Sequence, residues 1–151
     1  MVYRIYVEKK DGFDIEAKRI LGEIHSFLRI DSVKSLRLLN RYDAEGISPE
    51  LFERCIPTVF SEPQVDNVFF ELPGEGCVFG IEYLPGQFDQ RAHSAAECIR
   101  LISRSARPVV AAAKIIVLDG DLAAGEIDRI KKYLINPVDS REAGLGEKAS
   151  L

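Results

Sequence analysis

The sequence contains an internal repeat, in which an amphipathic pattern that begins at position 13 returns in register at position 88. The apolar members recur at steps of three and four residues, which is the spacing of one helix face. The matched residues are Phe13, Asp14, Ala17, Ile20, Ile24 and Phe27 in the first copy and Phe88, Asp89, Ala92, Ala95, Ile99 and Ile102 in the second. A weaker echo links Ile56-Pro57-Thr58-Val59 to Ile135-Asn136-Pro137-Val138. A duplicated unit favours two similar halves that bury a surface against each other. It also favours a scaffolding or binding role over a catalytic one.

Size and composition exclude several classes of protein. The 151 residues suffice for one ordinary domain or for two very small ones with a shared core. The net charge of -4 argues against a broad nucleic-acid surface, which needs a basic face. No apolar run approaches the roughly 18 residues of a membrane span, and the N-terminus lacks the pattern of a signal peptide. We therefore expect a cytoplasmic protein with neither nucleic acid nor membrane as a partner.

Each half of the sequence is predicted to run strand, helix, strand, helix, with an extra strand closing the first half. The first half spans residues 1–72 and the second spans residues 77–138, while the polar residues 139–151 are predicted to be a linker towards absent domains. The predicted strands are 2–8, 33–40, 68–72, 77–83 and 109–118, the last covered on both faces, and residues 41–46 are predicted to form a turn.

The alternation of strands with helical segments predicts helices on one face of a sheet. We expect an α+β fold of two ferredoxin-like halves arranged as a pseudo-dimer. In this prediction two sheets pack together in the middle and the helices lie outside.

The glycine-rich run 74–80 invites two chemical interpretations. A phosphate-binding loop would follow a strand and open a helix, whereas these glycines precede a strand. A nucleophile elbow needs a strand before its cysteine, whereas Cys77 starts one, so a buried small hydrophobic residue or an edge thiol is the favoured interpretation. The other cysteines, Cys55 and Cys98, form no Cys-x-x-Cys pair with it, which argues against a disulfide framework or a zinc site.

Two further groups of polar residues are weak candidates for a metal site. His25 and His93 are expected on helix surfaces, and Glu97 lies four residues after His93, but two ligands do not make a site. The acidic residues Asp119, Asp121 and Glu126 lack the spacing of a calcium loop, so Asp121 is predicted to cap a helix instead.

The run 84–91 is the densest in polar and turn-forming residues. It is compatible with an ordinary loop that ends in a helix N-cap. It is also compatible with a docking surface, because loops carry recognition and Gln87 and Arg91 offer directional hydrogen bonds.

Four separated runs resemble the N-terminal region of the large single-chain phosphoribosylformylglycinamidine synthases. The resemblance extends over nearly the whole chain, to about residue 142, and His93 stands where relatives are expected to carry an acidic residue. The runs are Arg4-Ile5-Tyr6-Val7-Glu8-Lys9-Lys10, Leu38-Leu39-Asn40-Arg41-Tyr42-Asp43-Ala44-Glu45-Gly46-Ile47, Pro57-Thr58-Val59-Phe60-Ser61-Glu62-Pro63-Gln64-Val65-Asp66 and Leu84-Pro85-Gly86-Gln87-Phe88-Asp89-Gln90-Arg91-Ala92.

The resemblance implies a fused dimer of the small accessory subunit that split forms of the enzyme carry. The complete enzyme is an ATP-dependent, glutamine-hydrolysing ligase of purine biosynthesis, and ATP and magnesium belong to that parent enzyme. This part would contain no catalytic, cofactor-binding or metal-binding residue and would be inactive alone. It would dock the synthetase and glutaminase domains and support ammonia transfer. The implied docking residues are Pro85, Gly86, Gln87, Asp89, Arg91, Asn136 and Pro137.

Two alternatives stay open. Duplicated ferredoxin-like units also serve as small-molecule-sensing modules that bind an effector between their halves. Sheets of similar topology bind RNA through aromatic side chains, but Phe69 and Phe70 lie beside the acidic residues Asp66 and Glu71.

Overall fold

The structure of this protein is a computed structural model that describes residues 1–151. Six strands and four helices make up the chain, and a wide helical turn over Ile56–Phe60 continues the second helix. In chain order the elements are β1 (Tyr3–Lys9), α1 (Ile15–Ser26), β2 (Val33–Glu45), α2 (Pro49–Cys55), β3 (Asp66–Phe69), β4 (Cys77–Tyr83), α3 (Gln90–Ile102), β5 (Val109–Gly120), α4 (Ala124–Leu134) and β6 (Ser140–Ala143).

The six strands form one antiparallel sheet in the order β3-β1-β2-β5-β4-β6. The predicted α+β class is therefore confirmed, whereas the prediction of two sheets packed face to face is wrong. The two long strands β2 and β5 pair along almost their full length at the centre of the sheet. Pairing of β2 with β5 gives hydrogen-bond partners to the backbone N–H and C=O groups along the facing edges of both strands. This explains why the two halves meet at these strands.

The two halves repeat the same order of elements. Each half runs strand, helix, strand, helix, strand, and the strand order is mirrored about the β2–β5 seam. Equivalent strands begin at positions 3 and 77 and at positions 66 and 140, so both pairs lie 74 positions apart.

A glycine lies at each end of the β2–β5 seam. Gly46 follows β2 with a φ of 80°, and Gly120 ends β5 with a φ of 141°. A Cβ atom on Gly46 would overlap the carbonyl oxygen of Arg107, and one on Gly120 would overlap that of Ser32. Positive φ and close backbone approach are both conditions that glycine meets and other residues do not. Because Gly46 and Gly120 are also 74 positions apart, the repeat extends to the backbone contacts that join the halves.

All four helices pack on one face of the sheet, in two clusters. The first cluster joins α2 and α3 to the sheet through residues such as Phe52, Ile99 and Ile5. The second joins α1 and α4 to it through Ile24, Ile130 and other side chains. Each cluster takes one helix from each half, so the halves share their core. Each such fully buried aliphatic side chain contributes about 1.5–3 kcal/mol.

The C-terminal residues cross the opposite, helix-free face of the sheet. Arg41 Nη1 donates a hydrogen bond to the carbonyl of Gly144 at 2.6 Å, and Arg4 Nη1 donates to those of Leu145 at 3.1 Å and Gly146 at 2.9 Å. The prediction of a linker over 139–151 is thus wrong for residues 140–143, which form β6. That edge strand is short and polar, and it forms because β4 offers a pairing edge, not because of an apolar period.

Two local predictions also differ from the structure. Residues 41–45 continue β2 where a turn was expected, because Arg41 and Asp43 face the helix-free side while Tyr42 packs on the other side. Asp121 does not cap α4. That N-cap is Ala123, whose backbone N–H donates to Glu126 Oε1 at 3.0 Å.

The helices are too short and too polar to cross a membrane; the longest, α3, has 13 residues.

Candidate binding groove

A groove of about 710 Å³ lies on the helix face of the sheet. Its floor is formed by the central strands, and α3 and the end of α4 contribute walls. Small side chains leave this space open, notably Ala112 on β5 and Ala95 on α3. The volume falls within the range of roughly 300–1,000 Å³ that is usual for small-molecule sites. We call this region the central groove.

The floor of the central groove contains the pair Asn40 and Lys114, which are direct cross-strand partners. These two residues are 74 positions apart, so they are equivalent positions of the two halves and lie at the centre of the mirrored sheet. Lys114 Nζ pairs with Glu16 Oε1 of α1 at 2.7 Å, and both side chains are 43% exposed. The Oδ1 atom of Asn40 is buried and accepts no hydrogen bond from the protein.

Arg91 lies on the α3 wall of the central groove. Its Nη1 donates to the hydroxyl of Tyr42 at 3.2 Å, and Tyr42 is held by its ring contact with Phe60, at 5.0 Å between centroids. Arg91 forms no ion pair with any carboxylate. The groove therefore contains a cation without a direct ion pair, and the acidic residues Glu82, Asp89 and Asp139 line the same groove.

The structure brings together the two segments that were predicted to dock. The N–H of Leu84 donates to the carbonyl of Asp139 at 2.8 Å, which places the turn before α3 beside the turn after α4. Three of the predicted docking residues, Asp89, Arg91 and Asn136, line the groove. The other four are exposed and lie outside its lining, namely Pro85, Gly86, Gln87 and Pro137.

Two of these lining residues also have structural roles. Asp89 is the N-cap of α3, because its Oδ1 accepts from the N–H of Ala92 at 3.1 Å. Asn136 Oδ1 accepts from the N–H of Val138 at 3.1 Å and so stabilises the turn after α4.

Sequence reasoning missed the residues on the groove floor. Lys114 is the one charged residue in the run 109–118, which was treated as a strand buried on both faces. Residues 115–118 are indeed buried, but Lys114 opens into the groove. The signal for Lys114 was its position as a lone charged residue inside an apolar strand, which indicates that one face of the strand is open there. Asn40 gave no such signal, because it becomes the partner of Lys114 only through the register of β2 with β5.

The other candidates from the sequence are placed separately. Cys77 begins β4 and is partly buried, as expected. His25 is exposed on α1, where its Nε2 lies 2.7 Å from the carbonyl oxygen of Val33. His93 packs its ring against Phe88, with 5.2 Å between ring centroids.

A buried charge cluster lies on the helix-free face, away from the groove. Asp43 accepts from Arg4 Nε at 2.6 Å and lies 3.5 Å from Arg41 Nε. Burial and the neighbouring charge of Arg4 lower the pKa of Arg41. Burial alone would also lower the pKa of Arg4, but its hydrogen bond and charge interaction with Asp43 raise that pKa overall. Asp43 is thus the anion that allows two guanidinium groups to share this site.

The sequence matches no protein-family model, and it matches no curated protein.

Proposed function

We propose that this chain is a non-catalytic assembly domain of a phosphoribosylformylglycinamidine synthase. In this proposal two ferredoxin-like halves are fused into a pseudo-dimer that docks the synthetase and glutaminase domains. The domain supports the transfer of ammonia from glutamine hydrolysis to the ATP-dependent ligation.

The observation that carries the proposal is the mirrored sheet. Two halves with the same order of elements share one seam, and the same glycine contact recurs at both ends of it. Such an arrangement is what fusion of two identical subunits would produce. The family resemblance of the four sequence runs supports the choice of parent enzyme in this proposal.

The proposed docking surface is centred on the two neighbouring turns at residues 84–91 and 136–139. Aromatic and aliphatic side chains are exposed there, with Tyr83 at 48%, Phe88 at 67% and Val138 at 78%. Exposed aromatic groups beside directional polar groups such as Gln87 are typical of the centre of an interface.

Association measurements test the docking role. Isothermal titration calorimetry of this chain with a synthase that lacks its own N-terminal domain should give saturable binding. The variants Gln87→Ala and Phe88→Ala should weaken binding by roughly tenfold each, since truncation of a central interface residue often costs more than 1 kcal/mol. Arg100→Ala removes a charge from the far end of α3 and serves as the matched control, with unchanged affinity.

Product formation tests the coupling role. The shortened synthase should lose its glutamine-driven rate, retain part of its ammonia-driven rate, and recover the former when this chain is added. Equal glutamine-driven rates with and without this chain would reject the proposal.

A second candidate function is a small-molecule-sensing module. The observation that favours it is the central groove, which lies where the two halves meet and has the volume of a small-molecule site. This candidate predicts that a small molecule stabilises the chain against thermal unfolding, because a ligand that binds only the folded state raises its stability.

A further inference from the structure

We propose that the first half of the chain carries a second docking surface, which contacts a different domain of the parent enzyme from the one that the turns at residues 84–91 and 136–139 contact. Its centre is formed by Phe13, Ile15 and Pro63, which are exposed at the neighbouring turns 10–15 and 62–66. We call it the first-half surface, and we call the surface already described the second-half surface. The inference rests on the proposed assembly function and adds a second site to it.

The backbone of the second-half surface is repeated in the first half. The N–H of Lys10 donates to the carbonyl of Val65 at 2.8 Å and so joins the two turns. The equivalent bond, 74 positions later, runs from Leu84 to Asp139 and is also 2.8 Å long. The glycines of the two turns match as well, with a φ of 89° at position 12 and of 90° at position 86. The first half therefore presents the same pair of neighbouring turns.

An exposed phenylalanine recurs on this repeated backbone. Phe13 is 52% exposed and directly precedes Asp14, the N-cap residue of α1. Phe88 is 67% exposed and directly precedes Asp89, the N-cap residue of α3. A ring that remains largely in water adds little to the core, so folding does not require an aromatic residue at either place. Its recurrence points to contact with a partner, because aromatic side chains are enriched in protein interfaces.

The first-half surface differs from the second-half surface in its polar surroundings. Lys9 pairs with Asp66 at 3.0 Å, and Lys10 Nζ donates to the carbonyl of Pro63 at 3.0 Å. In the second half, tyrosine and leucine stand at the positions equivalent to these two lysines. The first-half surface thus has an apolar centre, extended by Ile15 at 74% exposure, and a charged rim. It fits a folded domain that offers an apolar pocket within a polar border, which is the usual composition of a protein interface.

The two surfaces lie at opposite corners of the sheet. They follow the ends of β1 and β4, which are three strand spacings apart, or about 14 Å, and run in opposite directions. Glu8 of β1 and Gly80 of β4 share one row of cross-strand partners. Lys10 lies two residues beyond this row towards one end of the sheet, and Leu84 lies four residues beyond it towards the other. The surfaces are therefore separated by about 20 Å along the strands as well, a placement suited to contact with two domains at once.

Association measurements test the first-half surface. In calorimetric titrations with the synthase that lacks its own N-terminal domain, Phe13→Ala and Ile15→Ala should each weaken binding by roughly tenfold. Combination of Phe13→Ala with Phe88→Ala should weaken binding by roughly a hundredfold, because the effects of distant, independent sites add in free energy. Phe27→Ala is the matched control, with unchanged affinity. Phe27 is also exposed, at 69%, but it follows the far end of α1, about 18 Å along the helix from Ile15.

Photo-crosslinking identifies the domain that each surface contacts. p-Benzoyl-L-phenylalanine is introduced at position 13 in one variant and at position 88 in another, and cross-linked peptides are identified by mass spectrometry after assembly with the shortened synthase. Position 13 should cross-link to one of the synthetase and glutaminase domains, and position 88 should cross-link to the other. The same group at position 27 should give no product.

Three results would overturn the inference while weakened binding of Phe88→Ala still supported the assembly proposal. The first is unchanged affinity in both Phe13→Ala and Ile15→Ala, and the second is cross-linking of positions 13 and 88 to the same domain. The third is dimerisation of the free chain in sedimentation velocity that Phe13→Ala abolishes, which would assign the first-half surface to a second copy of this chain. Absence of any binding by the unaltered chain would instead reject the assembly proposal, and with it the basis of this inference.

Discussion

Replacement of Gly120 by alanine tests whether the seam between the halves depends on close backbone approach. Gly120 has a φ of 141°, which alanine adopts only with strain, and its added Cβ would overlap the carbonyl oxygen of Ser32. That oxygen belongs to backbone, so no side-chain rotation can relieve the overlap and the end of β5 must move away from the chain that precedes β2.

Two costs add to give the expected effect. A strained backbone conformation costs of order 1–3 kcal/mol, and overpacking costs about 1–3 kcal/mol more. We therefore expect Gly120→Ala to lower the free energy of unfolding by roughly 2–6 kcal/mol, a large part of the 5–15 kcal/mol that domains typically possess. At about 2–4 °C per kcal/mol for a chain of this size, the melting temperature should fall by at least about 4 °C.

Urea unfolding followed by far-UV circular dichroism measures this change, since the chain has no tryptophan to report it. Gly46→Ala, at the equivalent position, should be destabilising for the same two reasons. Gly22→Ala is the matched control: Gly22 lies within α1 with open space around it, so alanine should stabilise the chain by about 0.5–1 kcal/mol. If Gly120→Ala were no less stable than Gly22→Ala, the close approach described at the seam would be refuted.

Three further predictions concern the charge cluster, the cysteines and a helix cap. Asp43→Ala should destabilise the chain by about 3–5 kcal/mol in urea titrations, because it leaves two guanidinium groups without their shared anion; a loss below 1 kcal/mol would contradict this. With a thiol-specific chromophore at neutral pH, exposed Cys98 should react fast and Cys55 only on unfolding, because burial raises the pKa of the Cys55 thiol. Rapid reaction of Cys55 in the folded chain would refute its burial. Since the folded-state pKa of this thiol lies above the ordinary value of 9.0, its contribution to stability is complete at neutral pH and is lost as the pH rises above about 9. Ser48→Ala should lower the free energy of unfolding in urea by about 1 kcal/mol, because Ser48 Oγ accepts a hydrogen bond from the N–H of Leu51 at 3.1 Å. The control Ser26→Ala, at the exposed C-terminus of α1, should leave the free energy of unfolding nearly unchanged.

The local elements could be predicted from the sequence because their signals are local. The three- and four-residue spacing of apolar side chains identified α1 and α3. Ser48 followed by Pro49 is typical of a helix start, and α2 begins there. Each of these patterns reports how a short segment buries one face, which depends on residues that are neighbours in the chain.

The two segments of the docking proposal came from different signals. Turn-forming residues marked the run 84–91, whereas Asn136 was implied by the family resemblance, and the structure places the two segments side by side. The floor of the central groove could not be predicted, because Asn40 and Lys114 meet only through the register of two strands that are distant in sequence.

The sequence by itself determined the repeat, the strand-helix order of each half and the helix-covered face. Tertiary structure decided that the halves join through β2 and β5 in one sheet, and that residues 140–143 become a strand. The physical reason is that periodicity specifies which side of an element is apolar but not which backbone edge it pairs with. That choice depends on the competition among all available edges for hydrogen bonds, and it is made only when the whole chain is assembled.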